Sequence, residues 1–148
     1  MLANEQVVDV LKSIIETTRD AQNWFNQCNE TCTSYDLKTL FLLSAERCQV
    51  GIEALERLVR KYGGTTANEQ LILENLDPRL MELYIGLASG DDAMVLQQCE
   101  RWESFVLKNY QEALKQDCPK DVSALLSKQC LGIQVFYNKI KLLRGLMV

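Results

Sequence analysis

Apolar residues recur along this chain at alternating steps of three and four, and nowhere in strict alternation. Val7, Leu11, Ile14, Ala21, Phe25 and Cys28 follow that rule, with Thr18 at the missing step. Such spacing lines one face of an amphipathic helix. It predicts a first helix from Glu5 to about Glu30, with Asn4 as its N-cap. A second seam runs through Leu37, Phe41, Cys48, Ile52, Leu55, Val59 and Tyr62. Its helix should start after Thr33 or Ser34, because Thr33 and Asp36 have capping-box spacing. It should stop at the glycine pair 63–64, since glycine enters the left-handed C-cap conformation without steric cost.

The stretch 65–90 is less regular. Asp77-Pro78 reads as an N-cap followed by proline at the first helical position. Leu80, Leu83, Tyr84 and Leu87 then predict a short helix ending at Gly90. Asp91 or Asp92 should cap the next long helix, over about Ala93–Gln116. The last helix should run from Pro119 to about Arg144, with Val122, Leu126, Gln129, Ile133, Phe136, Ile140 and Leu143 as its seam. Helices of roughly 25 residues are each about 38 Å long. The short connections around residues 31–34 and 117–119 force two antiparallel hairpins. The long stretch between the hairpins can run the length of the bundle. The expected fold is therefore all-α: a single four-helix-bundle domain over residues 1–148, with ferritin-like connectivity. Its two antiparallel hairpins are joined by a long crossover that contains a short extra helix.

Composition narrows the function more than the fold. A formal net charge of -4 and the lack of any Lys/Arg cluster free of apolar residues argue against nucleic acid as a partner. The first ten residues have no basic n-region, and no apolar run approaches a membrane span. A cytoplasmic, membrane-free protein is expected, with its six cysteines reduced.

Four stretches resemble a known family. They are "DLKTLFLLSAERCQ" at 36–49, "LVRKYGG" at 58–64, "LASGDDAMVLQQCERWE" at 87–103, and the pair "YQEAL" and "CPKDVSALLSKQ" within 110–129. They are similar to bacterial ferritin-like four-helix-bundle proteins known only as a domain of unknown function. "CERWE" at 99–103 is close to that family's CERGED-like signature and is the most specific piece. The resemblance implies a ferritin-like bundle with no established activity. Where members often carry a His-Asp pair late in the last helix, this chain has Tyr137 and Asn138. The family's tryptophan-containing crossover segment is poorly matched by "ENLDPRLMELYIGL" at 74–87.

The segment "QQCERWESF" at 97–105 raises the question of metal chemistry, with Cys99, Glu100 and Glu103 within about one turn. A di-metal carboxylate centre needs a Glu from each of two helices and a Glu-x-x-His from each of the other two. The chain has no histidine, and its last helix offers only Asp121, in the first turn. No metal or other cofactor is expected. Cys28 and Cys32 share a helix face, but a structural zinc site wants four converging ligands. Among possible reactive thiols, Cys118 ranks first because it stands at a helix start, although Asp117 and Asp121 oppose it. Cys28 and Cys32 follow.

Glu103 falls among apolar neighbours, where an unpartnered carboxylate is costly. A possible buried polar cluster of Glu103, Tyr137 and Gln129 is expected, with Tyr137 donating to Glu103. Glu100 reads as a solvated edge beside Arg101. Glu53 and Glu56 read as surface charges near Arg57 and Arg60. Gly51 and Gly132, inside helices, should mark close helix approach, with a small-molecule notch as the sharper reading.

No phosphate loop, nucleophile elbow or HExxH motif is present. The expected function is a non-enzymatic, uncharacterised bundle, a self-association or interaction module with an unknown protein partner or a homodimer. The alternatives are a metal-binding or redox-active stress-related protein and a small-ligand carrier. An enclosed apolar cavity beside Gly51 or Gly132 would favour the last.

Overall fold

The computed structural model describes residues 1–66 and 91–147. They form four helices: α1, Asn4–Thr31; α2, Tyr35–Lys61; α3, Asp92–Leu114; and α4, Lys120–Leu146. No strand occurs among the described residues. The long helices fall where the three-four periodicity sets them, with ends shifted by one or two residues. The short helix expected between Asp77 and Gly90 lies outside the described residues.

The caps correct two local expectations. Asn4 is already helical. Ala3 holds the cap position, and its N–H donates to the Gln6 side chain at 2.9 Å. Ser34 caps α2, its hydroxyl accepting the Leu37 N–H at 3.4 Å. Thr33 does not form a capping box with Asp36, because Asp92 recruits it. The Asp92 carboxylate accepts the N–H groups of Thr33 and Ser34 at 2.7 and 2.9 Å, and the Thr33 hydroxyl at 3.1 Å. Partial desolvation would raise the Asp92 pKa. Those three donors and Lys38 outweigh it and hold the carboxyl below its usual range. Asp91 caps α3 through the Met94 N–H at 3.0 Å.

These contacts fix the topology. Asp92 pins the start of α3 to the α1–α2 turn. At the other end of the bundle, Gly63 takes φ +86 and closes α2 in the left-handed conformation. Gly64 then lies against the first turn of α1, where an added Cβ would sit 2.6 Å from a Val8 methyl. The Met1 amino group meets Asp117 of the α3–α4 turn at this same end, at 2.7 Å. The chain thus leaves α2 at one end and enters α3 at the other. That is crossover connectivity between two antiparallel hairpins.

Asp92→Ala should cost about 2 kcal/mol in urea unfolding at pH 7. It removes charge-assisted bonds that are partly open to water and leaves two backbone donors to solvent. A loss below about 0.5 kcal/mol would mean that water replaces the carboxylate freely.

Packing around the bundle is uneven. α1 packs along α2, α3 along α4, and α1 against α3, whereas α2 and α4 touch at few points. Trp24, Phe41, Leu55, Leu96 and Trp102 are sealed in the well-packed part. The sparse α2–α4 seam leaves an opening.

Candidate functional site: a cleft between α2 and α4

Gly51 on α2 and Gly132 on α4 flank that opening. A Cβ at Gly51 would lie 3.3 Å from Gln129 Nε2, so this glycine does accommodate a neighbour. A Cβ at Gly132 would meet nothing within 4 Å. At Gly51 the neighbour is the end of a side chain and not a helix backbone, and at Gly132 there is none among the described residues, so neither glycine shows the close helix approach expected of it. Both glycines line a cavity of about 360 Å³, a size ordinary for ligand pockets.

All four helices contribute walls. Ala21 and Phe25 come from α1, Val106 from α3, and Leu125, Ile133 and Phe136 from α4. The uncharged hydrogen-bonding side chains of the lining are paired, and Arg47 and Lys128 stand exposed at its edge. The Tyr110 hydroxyl donates to Gln129 Oε1 at 2.9 Å, and Gln129 Nε2 donates to the Gly51 carbonyl at 3.3 Å. Thr18 Oγ1 donates to the Ile14 carbonyl at 2.8 Å and lies 3.5 Å from the Tyr110 hydroxyl. The Ser44 hydroxyl donates to the Leu40 carbonyl at 2.8 Å. Burial pushes the Tyr110 phenol up, against the Thr18 hydrogen bond.

Glu103 is the exception. Its side chain lines the cavity, is only 2% exposed, and has no hydrogen-bond or ion-pair partner among the described residues. Burial alone raises its pKa to about 8, so the free protein keeps this carboxyl protonated at neutral pH. Gln129 shares the cavity, as the sequence predicted. Tyr137 does not. It sits on the other side of α4, in an outer groove with Glu100, Phe105 and Arg144, and Lys141 Nζ lies 5.7 Å from its ring centroid. With Phe136 and Ile140 buried, position 137 turns outward toward α3. The expected Tyr137–Glu103 bond is therefore replaced by a Tyr110–Gln129 bond that leaves Glu103 unpaired. Tyr110 lies one heptad after Glu103 in the same seam, which was a readable signal for a cavity-facing phenol.

Two other carboxylates also find unexpected partners. Glu100 pairs with Arg144 across the α3–α4 groove at 2.5 Å instead of fringing Arg101. Glu56 reaches Arg19 of α1 at 3.6 Å.

The thiols are placed as follows. Cys28 is fully buried and lies beside Cys99 across the α1–α3 interface, with Trp24 close by. Burial, then Cys28, pushes the Cys99 thiol well up. Cys32 is 2% exposed and donates to the Asn29 carbonyl at 3.8 Å. Burial and Asp92 raise its pKa against Lys38. Cys118 is 9% exposed, and burial together with Asp117 raises its pKa too. The helix start that ranked Cys118 first does not outweigh those two effects. α1 is helical to Thr31, past Cys28.

A family model described as "Domain of unknown function (DUF2383)" matches residues 6–116. No curated protein sequence matches. Among solved structures, the fold is similar to Dps92 from Deinococcus radiodurans, with TM-score 0.79 and 14% identity over 95% of this chain and 87% of that one. It is also similar to a Dps protein from Vibrio cholerae O1, described as a member of a broad superfamily of ferritin-like diiron-carboxylate proteins. There the TM-score is 0.75 and the identity 12%, over 94% of this chain and 89% of that one. The ferritin-like architecture implied by "CERWE" and its companion stretches is thereby confirmed.

The donor set does not fit a di-iron centre. No group of three or more His, Cys, Asp or Glu residues among those described converges as a metal site. Among the described residues Glu103 is the lone carboxylate lining the cavity, and α4 presents Gln129, Gly132 and Phe136. A di-metal site asks for carboxylates from all four helices.

Proposed function

This chain belongs to the DUF2383 family of ferritin-like domains, and we propose that it is a non-enzymatic carrier of a small, mainly apolar molecule held in the α2–α4 cleft. The carrying observation is the cavity of about 360 Å³ bounded by Gly51 and Gly132 in the middle of the bundle. A filled apolar bundle would close that space, because interiors pack to near-crystalline density. The walls supply apolar burial and the Tyr110–Gln129–Gly51 chain holds the rim, while no nucleophile–base pair lines the site for chemistry. All six cysteines are free thiols, which supports the reducing cytoplasm as its location. No described helix is long and apolar enough to cross a membrane.

Gly132→Phe tests this reading, because the new ring grows into space that no described residue occupies. The neutral probe N-phenyl-1-naphthylamine should bind the wild type at one site. The variant should bind it about tenfold or more weakly, since filling the pocket forfeits apolar burial, with its circular dichroism spectrum unchanged. Equal binding by a folded variant would sink the cleft as the site.

A second reading, self-association, is favoured by one observation. Leu43 and Val50 on α2, and Leu131, Val135 and Leu142 on α4, are all more than half exposed. A second copy of this chain would cover them. Sedimentation equilibrium of the wild type and of Val135→Asp decides the matter: a dimer that the substitution dissolves supports it, and a monomer at high micromolar concentration ends it.

A further inference from the structure

We infer that Glu103 is the docking point for an amino group, and that the cleft takes a lipophilic amine. This rests on the cleft being a ligand site, and it names the chemistry of the ligand. Every other polar group whose hydrogen bonds define the cavity wall is already engaged: Tyr110 with Gln129, Gln129 with Gly51, Thr18 with Ile14, and Ser44 with Leu40. Glu103 alone is buried, unpartnered and turned into the space. A buried polar group without a partner costs free energy that a ligand can restore. A carboxyl group can be satisfied by an ammonium in two ways at once, by charge and by hydrogen bonding. An alcohol gives only the hydrogen bond; a carboxylate can accept only the proton that Glu103 keeps below about pH 8, with no gain from charge, and meets like charge above it.

The surroundings leave that role to the ligand. From α2, Cys48 and Arg47 line the cavity; from α4, Lys128 does. Cys99 lies one turn before Glu103 and Tyr110 two turns after it on α3. α1 offers Thr18 and no ionisable side chain. Neither Arg47 nor Lys128 lowers the Glu103 pKa, so no protein cation serves this carboxyl. Both cations are exposed at the rim, on long side chains that water screens. An anionic amphiphile with its head at that rim would leave Glu103 as unpaired as before. The amine accounts for it.

When the ammonium form enters, Glu103 gives up its proton to solvent and becomes the carboxylate of an ion pair. No bond to carbon is made or broken. Binding should therefore release close to one proton per amine at pH 6.5, where the free protein holds Glu103 protonated. The release should fade as the pH passes about 8.

Calorimetric titration of the full chain with n-octylamine, n-octanol and sodium octanoate separates the outcomes. It is run at pH 6.5 and 9 in two buffers of different ionisation enthalpy, on wild type and Glu103→Gln. Octylamine should bind at least about tenfold tighter than octanol at pH 9, and Glu103→Gln should erase that preference. Equal affinity for octanol and octylamine, or a preference that survives in Glu103→Gln, overturns the amine assignment while leaving the cleft as a ligand site. Tightest binding of octanoate also overturns it and moves the head group to Arg47 and Lys128. If none of the three binds the wild type, the cleft reading itself fails. Gly132→Phe then serves as the control that any observed binding is in the cavity.

Discussion

Glu103→Gln should stabilise the folded protein, by an amount that grows with pH to about 5 kcal/mol near pH 8.5. The folded state holds the Glu103 proton up to about pH 8 because the carboxyl is buried without a partner. In the unfolded chain the same group loses its proton near pH 4.5. Between those two values the folded state binds more protons than the unfolded one, so raising the pH withdraws stability. The contribution is fully present below about pH 4.5, declines through neutrality, and is gone above about pH 8. A separation of about 3.5 pKa units at 1.36 kcal/mol each sets a limit of about 5 kcal/mol, most of it reached by pH 8.5. Glutamine keeps the shape and removes the titration, so the difference between variant and wild type isolates this group from Asp92 and the other carboxyls. Urea unfolding of both proteins at pH 5, 7 and 8.5 measures it. A constant difference across that range would mean that the carboxyl finds a partner or water in solution. The ligand inference and this one share a cause: the free energy withheld from the empty protein is what an amine restores.

The helices were legible because their periodicity is local, and so was the crossover, because only a long connection can link two hairpins whose ends lie a bundle length apart. Glu103 and Gln129 were legible as inward positions for the same reason. Tyr137 was not, because its direction depends on the rotational setting of α4, which packing against α3 decides. Positions 136, 137 and 138 differ by 100° each, so a small phase error exchanges a core residue for a groove residue. The cavity was visible only as two glycines with two readings. Their identity says that side chains are absent, whereas the separation of α2 and α4 says whether backbone or empty space fills the gap. Thr33 shows the same limit at a smaller scale. Its spacing to Asp36 suits a capping box, but the tertiary partner Asp92 wins the N–H.

Trp24→Ala should cost about 3–5 kcal/mol, the loss expected for truncating a sealed aromatic side chain. The seam read from the sequence passes through Ala21, Phe25 and Cys28 and leaves Trp24 aside, yet its relative exposure is 0%. The reason is that α1 packs on α2 and α3 together, which widens its buried stripe to include Val8, Ile15 and Trp24. The indole also lies beside the Cys99 thiol, which neighbours Cys28. Trp24→Phe keeps most of the volume and should cost about 1–2 kcal/mol. Urea midpoints for the two variants give the values. A loss under about 1.5 kcal/mol for Trp24→Ala would mean that the α1–α3 interface collapses onto the hole. Trp24 is not part of the cavity wall, whereas its neighbour Phe25 is. Trp24→Phe should therefore lower stability and leave probe binding in the cleft unchanged. Gly132→Phe should do the reverse, which places the fold's stability in the α1–α3 interface and its recognition in the thinly packed α2–α4 seam.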